Sequence, residues 1–372
     1  MGDCLVLFLR GWLHCRTNER WHILSGMLPM VIVTSNYWPE NGVQLMEPLI
    51  AEADMENKIL RTLILGVIVG VTFLFFGSAL LAAQKDSISH SFAVHSGGEL
   101  VIESDRGSIE VKTGDENKID VMVYLEVKTG DRDRAQEILK DFDVTFDQDG
   151  DDVYIKAKYK GDKGWKFWNR SDSRLQARFV VSVPKEFNVD LTTAGGSIYV
   201  GDLSGKARAA SSGGSLTFEH NQGPVHGTTS GGSIILGKCS GSVDVNTSGG
   251  SISIGQVEGD VVAHTSGGSV SVEEVMGSID ASTSGGSINA HITRQPKGDC
   301  KLSTSGGNVI VYLEKSIKVD LDAQTSAGKV TTDFPVTIKG GWSHSSLTAS
   351  LNGGGPELYL RTSGGNIELR EF

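Results

Sequence analysis

Basic charge is scarce in this chain. Lys and Arg number 34 against 45 Asp and Glu, a formal net charge of −11. That balance argues against a nucleic-acid partner and against polybasic docking on a membrane. Catalytic signatures are missing too. No Gly-x-Ser-x-Gly elbow stands between a strand and a helix. No His-x-x-x-His or Cys-x-x-Cys pair offers metal-ligand spacing. The reading is therefore of a non-enzymatic protein with no cofactor and no metal. Cysteine is sparse, with 4 in the chain, and only Cys239 and Cys300 lie in its repetitive part. They fall about three repeats apart, roughly 14 Å at one strand spacing per repeat. A disulfide needs Cα atoms within about 7 Å, so both are expected as buried free thiols.

What is present is glycine, 47 residues, and a recurring phrase. Thr-Ser-Gly-Gly-Ser-Ile starts at Thr229, Thr247 and Thr283, and Thr-Ser-Gly-Gly-Ser-Val at Thr265. Looser copies start at Thr193, Ser211, Thr304, Thr325 and Thr362. From 193 to 283 each step is 18 residues; two steps of 21 and one of 37 follow. A fixed period of about 20 residues marks stacked copies of one supersecondary unit. In each unit apolar residues alternate twice, as in Ile252 and Ile254, then Val261 and Ala263. Period-2 alternation makes each stretch a half-buried strand. Two strands and two turns in 18 residues leave no room for helical crossovers. The fold class is all-β: a parallel β-solenoid of about 18–21 residues per coil, with a hairpin meander as the alternative. Glycine pairs, Gly231-Gly232, Gly249-Gly250, Gly267-Gly268 and Gly285-Gly286, read as structural turns suited to φ > 0. A calcium-binding nonapeptide roll needs an Asp in every turn, and no Asp repeats here.

The domain boundaries follow. Residues 191–372 hold the repeats. Residues 88–190 hold less regular strands and a helix at 131–142, whose Ala135, Ile138, Leu139 and Phe142 share one stripe and which Thr129 or Asp131 can cap. This segment suits the cap that hides the open end of a solenoid. The last coil closes on Ile367, Leu369 and Phe372, and its Arg370-Glu371 gives a charged terminal edge. Residues 62–83 run without a charge, long enough to span a bilayer. They read as an uncleaved transmembrane anchor or a cleaved signal peptide, with a buried core helix as the remaining alternative. Both leading readings place the residues after about 84 outside the cytoplasm, on a membrane or exported to the periplasm or cell surface. Residues 55–61 make a basic lead. Residues 1–54 hold no repeat and read as a non-native or disordered extension ahead of a start at Met55 or Met46; a genuine cytoplasmic tail is the competing view.

Two surfaces could meet a ligand or partner. One is the segment with Trp165, Phe167, Trp168 and Arg170, aromatics interleaved with bases, which reads first as a hairpin tip folded over the cap and second as a contact for a sugar, a lipid head group or a partner. The other is the hydroxyl row Thr229, Thr247, Thr265 and Thr283, which reads first as corner chemistry and second as an array for a glycan. Stacking also places His226 between Arg208 and Asp244 in one outward column, more simply a surface pair than a metal or acid–base site.

The run Val183-Pro-Lys-Glu-Phe-Asn-Val-Asp-Leu-Thr-Thr-Ala-Gly-Gly-Ser-Ile198 and the closing Thr-Ser-Gly-Gly-Asn-Ile367 carry a likeness. With the apolar segment, they make residues 90–372 resemble the bacterial putative-adhesin family, a β-strand-repeat domain of unknown function. The resemblance implies a β-solenoid displayed outside the cytoplasm, sometimes linked with envelope-stress systems, and it supplies no catalytic residues. The function expected is an envelope binding or structural module, with a glycan or a cell-envelope protein as partner. An accessory or sensor domain is the alternative, and a polysaccharide-acting enzyme a third.

Overall fold

The computed structural model describes residues 84–160 and 175–372, together with the backbone of 5–9, 12–17 and 20–24. The membrane-segment reading of 62–83 and the proposed surface at Trp165, Phe167, Trp168 and Arg170 lie outside the described residues. Among those described, no helix is long and apolar enough to cross a membrane. Contacts divide the chain into Met1–Ala79 and Leu80–Phe372. In the first unit, Leu5–Leu9, Trp12–Thr17 and Arg20–Leu24 pair as an antiparallel meander. Backbone pairing is thus present in part of the stretch expected to be a non-native or disordered extension.

The second unit is the solenoid. Its strands fall in two sheets of 13 and 14 strands, and from Asn188–Thr193 to Val330–Thr332 the chain crosses between them at every turn. One coil is Val243–Thr247 in the larger sheet and Ile252–Val257 in the smaller, joined by a corner. Successive coils pair in parallel and in register. Ile198, Leu216, Ile234, Ile252, Val270, Ile288, Val309 and Ile367 therefore form one buried column. Val225, Val243, Val261 and Ile279 form another in the facing sheet. One coil alone covers neither of its faces; stacking closes the core and makes the fold cooperative.

The two ends depart from sequential stacking. At the start, Glu99–Ser104 and Ser108–Thr113 make a coil that lies second in space. Asp152–Tyr159 and Leu175–Val183 flank it outside, and Asn188–Thr193 and Ile198–Val200 inside. Antiparallel strands then close both sheets: Lys118–Val127 and Gln84–Ala93 on one, Phe142–Asp149 on the other. The helix runs Arg132–Lys140. Asp131 caps it, its carboxylate accepting from the Asp133 and Arg134 N–H groups at 3.0 and 3.3 Å. It stops short of the expected residue 142 because Phe142 is the first residue of the next strand.

At the far end the last coil is not terminal. Glu357–Thr362 pairs with Cys300–Thr304 on one side and Val319–Thr325 on the other. Ile367–Glu371 likewise sits between Val309–Leu313 and Val330–Thr332. The charged terminal edge expected at Arg370-Glu371 is therefore internal. The true edge of the larger sheet is the hairpin Val336–Trp342 and Ser346–Leu351. A left-handed run at Asn352, Gly353 and Gly354, with φ of 51°, 96° and 86°, turns the chain back into the stack.

Candidate binding surfaces

Each repeat phrase builds a corner. Thr247 continues the buried positions Val243 and Val245 of its strand, so strand alternation aims its hydroxyl inward. Thr229, Thr247, Thr265 and Thr283 are only 2, 6, 6 and 5% exposed. The Thr247 hydroxyl donates to the Gly232 carbonyl of the preceding coil at 2.8 Å and accepts from its own Gly250 N–H at 3.4 Å. Thr229, Thr265 and Thr283 donate in the same way to Gly214, Gly250 and Gly268, each at 2.7 Å. These four threonines staple coil to coil inside the corner, the first of the two roles their spacing offered. Thr247→Val keeps the shape and strands the buried Gly232 carbonyl. It should cost about 1–3 kcal/mol in denaturant unfolding, and a loss below about 0.5 kcal/mol would rule out the staple.

A second ladder of hydroxyls joins the same corners. Ser197, Ser215, Ser233, Ser251 and Ser269 each accept, through the hydroxyl, the N–H of the serine one coil later at 3.2 Å. The later corners continue it through Ser287, Asn308 and Asn366. The repeated Ser was visible in the phrase; its direction along the stack was not.

The glycine pairs are needed for a different reason than expected. Among described glycines, positive φ occurs at Gly97, Gly107, Gly150, Gly353 and Gly354, none in a repeated pair. What demands glycine is backbone approach. A Cβ on Gly232, Gly250, Gly268 or Gly286 would lie 2.1–2.3 Å from the glycine carbonyl oxygen of the coil before. The first member is looser: Gly231, Gly249, Gly267 and Gly285 would meet such atoms at 2.9–3.3 Å.

With the corner threonines locked internally, the other repeated side chains stand on the two outer sheet faces. On the smaller sheet one outward column reads Tyr199, Thr217, Ile235, Ser253, Ser271 and Asn289, mostly small and neutral. On the larger sheet the column reads Asp190, Arg208, His226, Asp244, Val262 and Asp280. His226 Nδ1 meets the Asp244 carboxylate at 3.2 Å, and Asn246 donates to its other oxygen at 2.9 Å. The pair the sequence brought together is thus present, held as a surface contact. Among the described residues no group of three or more His, Cys, Asp or Glu is placed to hold a metal.

The two cysteines of this unit are buried and free. They lie in opposite sheets, Cys239 in the smaller and Cys300 in the larger. Burial pushes the Cys239 thiol up and the Cys300 thiol up to about 11. The folded chain therefore holds these protons more tightly than the unfolded chain. Their stabilising effect is complete below the ordinary value of 9.0 and is lost as pH rises toward about 11. Thiol reagent at pH 8 should leave both unlabelled until denaturant is added; rapid native labelling of the peptides that hold Cys239 or Cys300, read by mass spectrometry apart from those of Cys4 and Cys15, would contradict their burial.

A family model described as Toastrack DUF4097 matches residues 98–370. The chain belongs to the Toastrack DUF4097 family. The match starts in the cap and runs to the inserted last coil, so it takes in both irregular ends along with the repeats. Membership agrees with the resemblance to a putative-adhesin β-repeat family of unknown function. Solved structures similar to it include a putative cell adhesion protein from Clostridium sporogenes ATCC 15579. That pair is 12% identical over 77% of this chain and 100% of the other, with a TM-score of 0.20. A putative adhesin from Bacteroides fragilis NCTC 9343 is 11% identical, over 78% and 98%, with a TM-score of 0.33. A putative lipid binding protein from Parabacteroides distasonis ATCC 8503 is 12% identical, over 77% and 97%, with a TM-score of 0.34. No curated protein matches the chain.

Proposed function

We propose that this Toastrack protein is a non-enzymatic binding or structural module of the cell envelope. Residues 62–83 hold it to the membrane or export it, and the solenoid lies outside the cytoplasm. The observation that carries this reading is the division of labour between corner and face. The repeated hydroxyls are consumed in coil-to-coil hydrogen bonds, and the outer columns of the sheets present one new side chain per coil to solvent. A long, rigid, mixed-polarity surface of that kind suits an extended partner gripped at several points, where weak contacts add through multivalency. Glycan is the partner class favoured, since the outer column of the smaller sheet offers an aromatic, hydroxyls and an amide at Tyr199, Thr217, Ser253, Ser271 and Asn289 and carries no charge. Glycan-array binding by the purified chain tests it. Saturable binding to one glycan class supports the module. Absence of any binding, together with co-purification of a membrane kinase or transporter, would replace it with an accessory role in envelope-stress sensing.

A further inference from the structure

Away from the repeats, a cavity of about 960 Å³ opens on the outer face of the smaller sheet, where the cap meets the first coils. Strand pairing explains its floor. Lys118–Val127, Leu175–Val183 and Ser108–Thr113 run side by side, so Tyr124, Arg178 and Ser108 stand in one outward row. Val180 and Glu110 form the next row. The corners at Asp105–Gly107 and Ala194–Gly196 wall one end.

Glu110 organises the polar side. Its carboxylate accepts from the Arg178 guanidinium on one oxygen and pairs with the Lys112 ammonium on the other. Its side chain is 17% exposed, against 58% for Arg178. The Arg178 hydrogen bond, followed by that of Lys112, holds the Glu110 carboxyl below its ordinary range, and Glu110 holds Arg178 above its own. Glu110 and Arg178 therefore both stay ionised at neutral pH. Charge pairing fixes the long Arg and Lys side chains, so little rotamer freedom remains to be lost on binding. A guanidinium has five N–H donors, more than one carboxylate oxygen consumes.

The lining also sets the ligand class. Among the described lining residues, four Lys or Arg stand against four Asp or Glu. A polyanion would meet as many carboxylates as cations, and an apolar ligand would leave ionised groups desolvated without partners. A neutral polyhydroxylated ring satisfies both signs, because each hydroxyl donates and accepts. Tyr124 adds an aromatic surface, 47% exposed although it sits in a sheet beside Arg178. Aromatic bodies with a polar tip are favoured where one side of a contact is apolar and the other wet.

We propose that this cavity is a saccharide site: Tyr124 is the platform for a neutral sugar ring, and Glu110, Arg178 and Gln176 take its hydroxyls. The assignment rests on the glycan reading above and goes beyond it by placing the ligand at the cap and not along the repeats. The test uses the full chain in detergent, titrated by calorimetry with N-acetylglucosamine oligomers, neutral glucose oligomers and hexuronate oligomers. A neutral oligomer should bind, with hexuronate weaker. Tyr124→Ala and Gln176→Ala, both surface changes, should each weaken binding about tenfold, the upper end for a neutral amide–hydroxyl hydrogen bond and within the range of an aromatic contact. Ile235→Ala, on the same sheet but distant from the cavity, should leave affinity unchanged. Unaltered thermal melting confirms that the variants fold. Binding that survives both Tyr124→Ala and Gln176→Ala, or that is lost in Ile235→Ala, moves the site to the repeat face and leaves the glycan reading standing. Preference for hexuronate overturns the charge-balance argument. No binding by any of the three oligomers removes the site, while the glycan array decides the glycan reading separately.

Discussion

Truncation after Gly355 should unfold far more than the 17 residues it removes. In a solenoid stacked in chain order, losing the last coil costs only that coil's contacts. Here Glu357–Thr362 and Ile367–Glu371 are sandwiched between the coil at 300–313 and the one at 319–332. Leu358, Leu360, Ile367 and Leu369 are 0–1% exposed, and at roughly 1.5–3 kcal/mol for each buried side chain they contribute of order 10 kcal/mol. That compares with the whole stability of a typical domain, about 5–15 kcal/mol. The corner staples go as well: Thr362 donates to Gly307, and Thr325 donates to Gly365, which would no longer exist. Residues 319–351 should then lose amide protection throughout, while coils before 292 keep theirs. Hydrogen exchange read by mass spectrometry separates the outcomes. If 319–351 stay protected, the coil at 319–332 has slid against 300–313, and the inserted coil is dispensable. The same topology sets an order for folding: residues 319–351 cannot complete their sheet until the final residues of the chain arrive.

How far this architecture can be read from sequence depends on which interaction decides each feature. The regular coils are legible because one period fixes everything at once. Apolar columns at Ile252 and Ile254, and at Val243 and Val245, give the strands, their faces and their parallel register. Even the His226–Asp244 contact follows from an 18-residue offset. The inserted last coil is not legible, because Thr362 carries the same phrase whether it docks on Gly307 or on Gly328. The choice is made by the hairpin at 336–351 and the turn at Asn352–Gly354, which are long-range geometry. The burial of the threonines was implicit in strand alternation: Thr247 has the parity of Val243 and Val245, and counting parity would have moved it inside. The cavity left no trace, since Glu110 and Arg178 are 68 residues apart and belong to no repeat.

The sharpest test of the corner lies in two adjacent glycines. Gly214→Ala should destabilise the protein by about 3 kcal/mol or more, and Gly213→Ala should be neutral or stabilising by about 0.4–1 kcal/mol. A Cβ on Gly214 would sit 2.1 Å from the Gly196 carbonyl oxygen and 2.2 Å from its carbon, both backbone atoms. Backbone in mid-stack has nowhere to go: Gly196 itself rests against Gly107, and Gly232 rests in turn on Gly214. Relief would have to pry apart two coils already joined by the Ser211 hydroxyl on the Gly196 carbonyl at 2.8 Å. Gly213 meets nothing within 4 Å and does not adopt a positive φ, so alanine there only removes conformational freedom from the unfolded chain. A turn that required glycine for its φ would give a different pattern, since strain would follow the left-handed position whatever the space around it. Equal losses at both positions in denaturant unfolding would return the corner to a φ-driven turn. A loss confined to Gly214 establishes that the spacing between coils, set by carbonyl against Cα, is what keeps the phrase rich in glycine. Under that rule Gly249 is the tolerant member of its pair and Gly250 the critical one, with 3.3 Å and 2.1 Å to the nearest backbone oxygen. A substitution scan along the column should therefore be severe at the second glycine of every corner, and at the first should harden from Gly213, with nothing within 4 Å, through Gly231 and Gly249 at 3.3 Å to Gly285 at 2.9 Å.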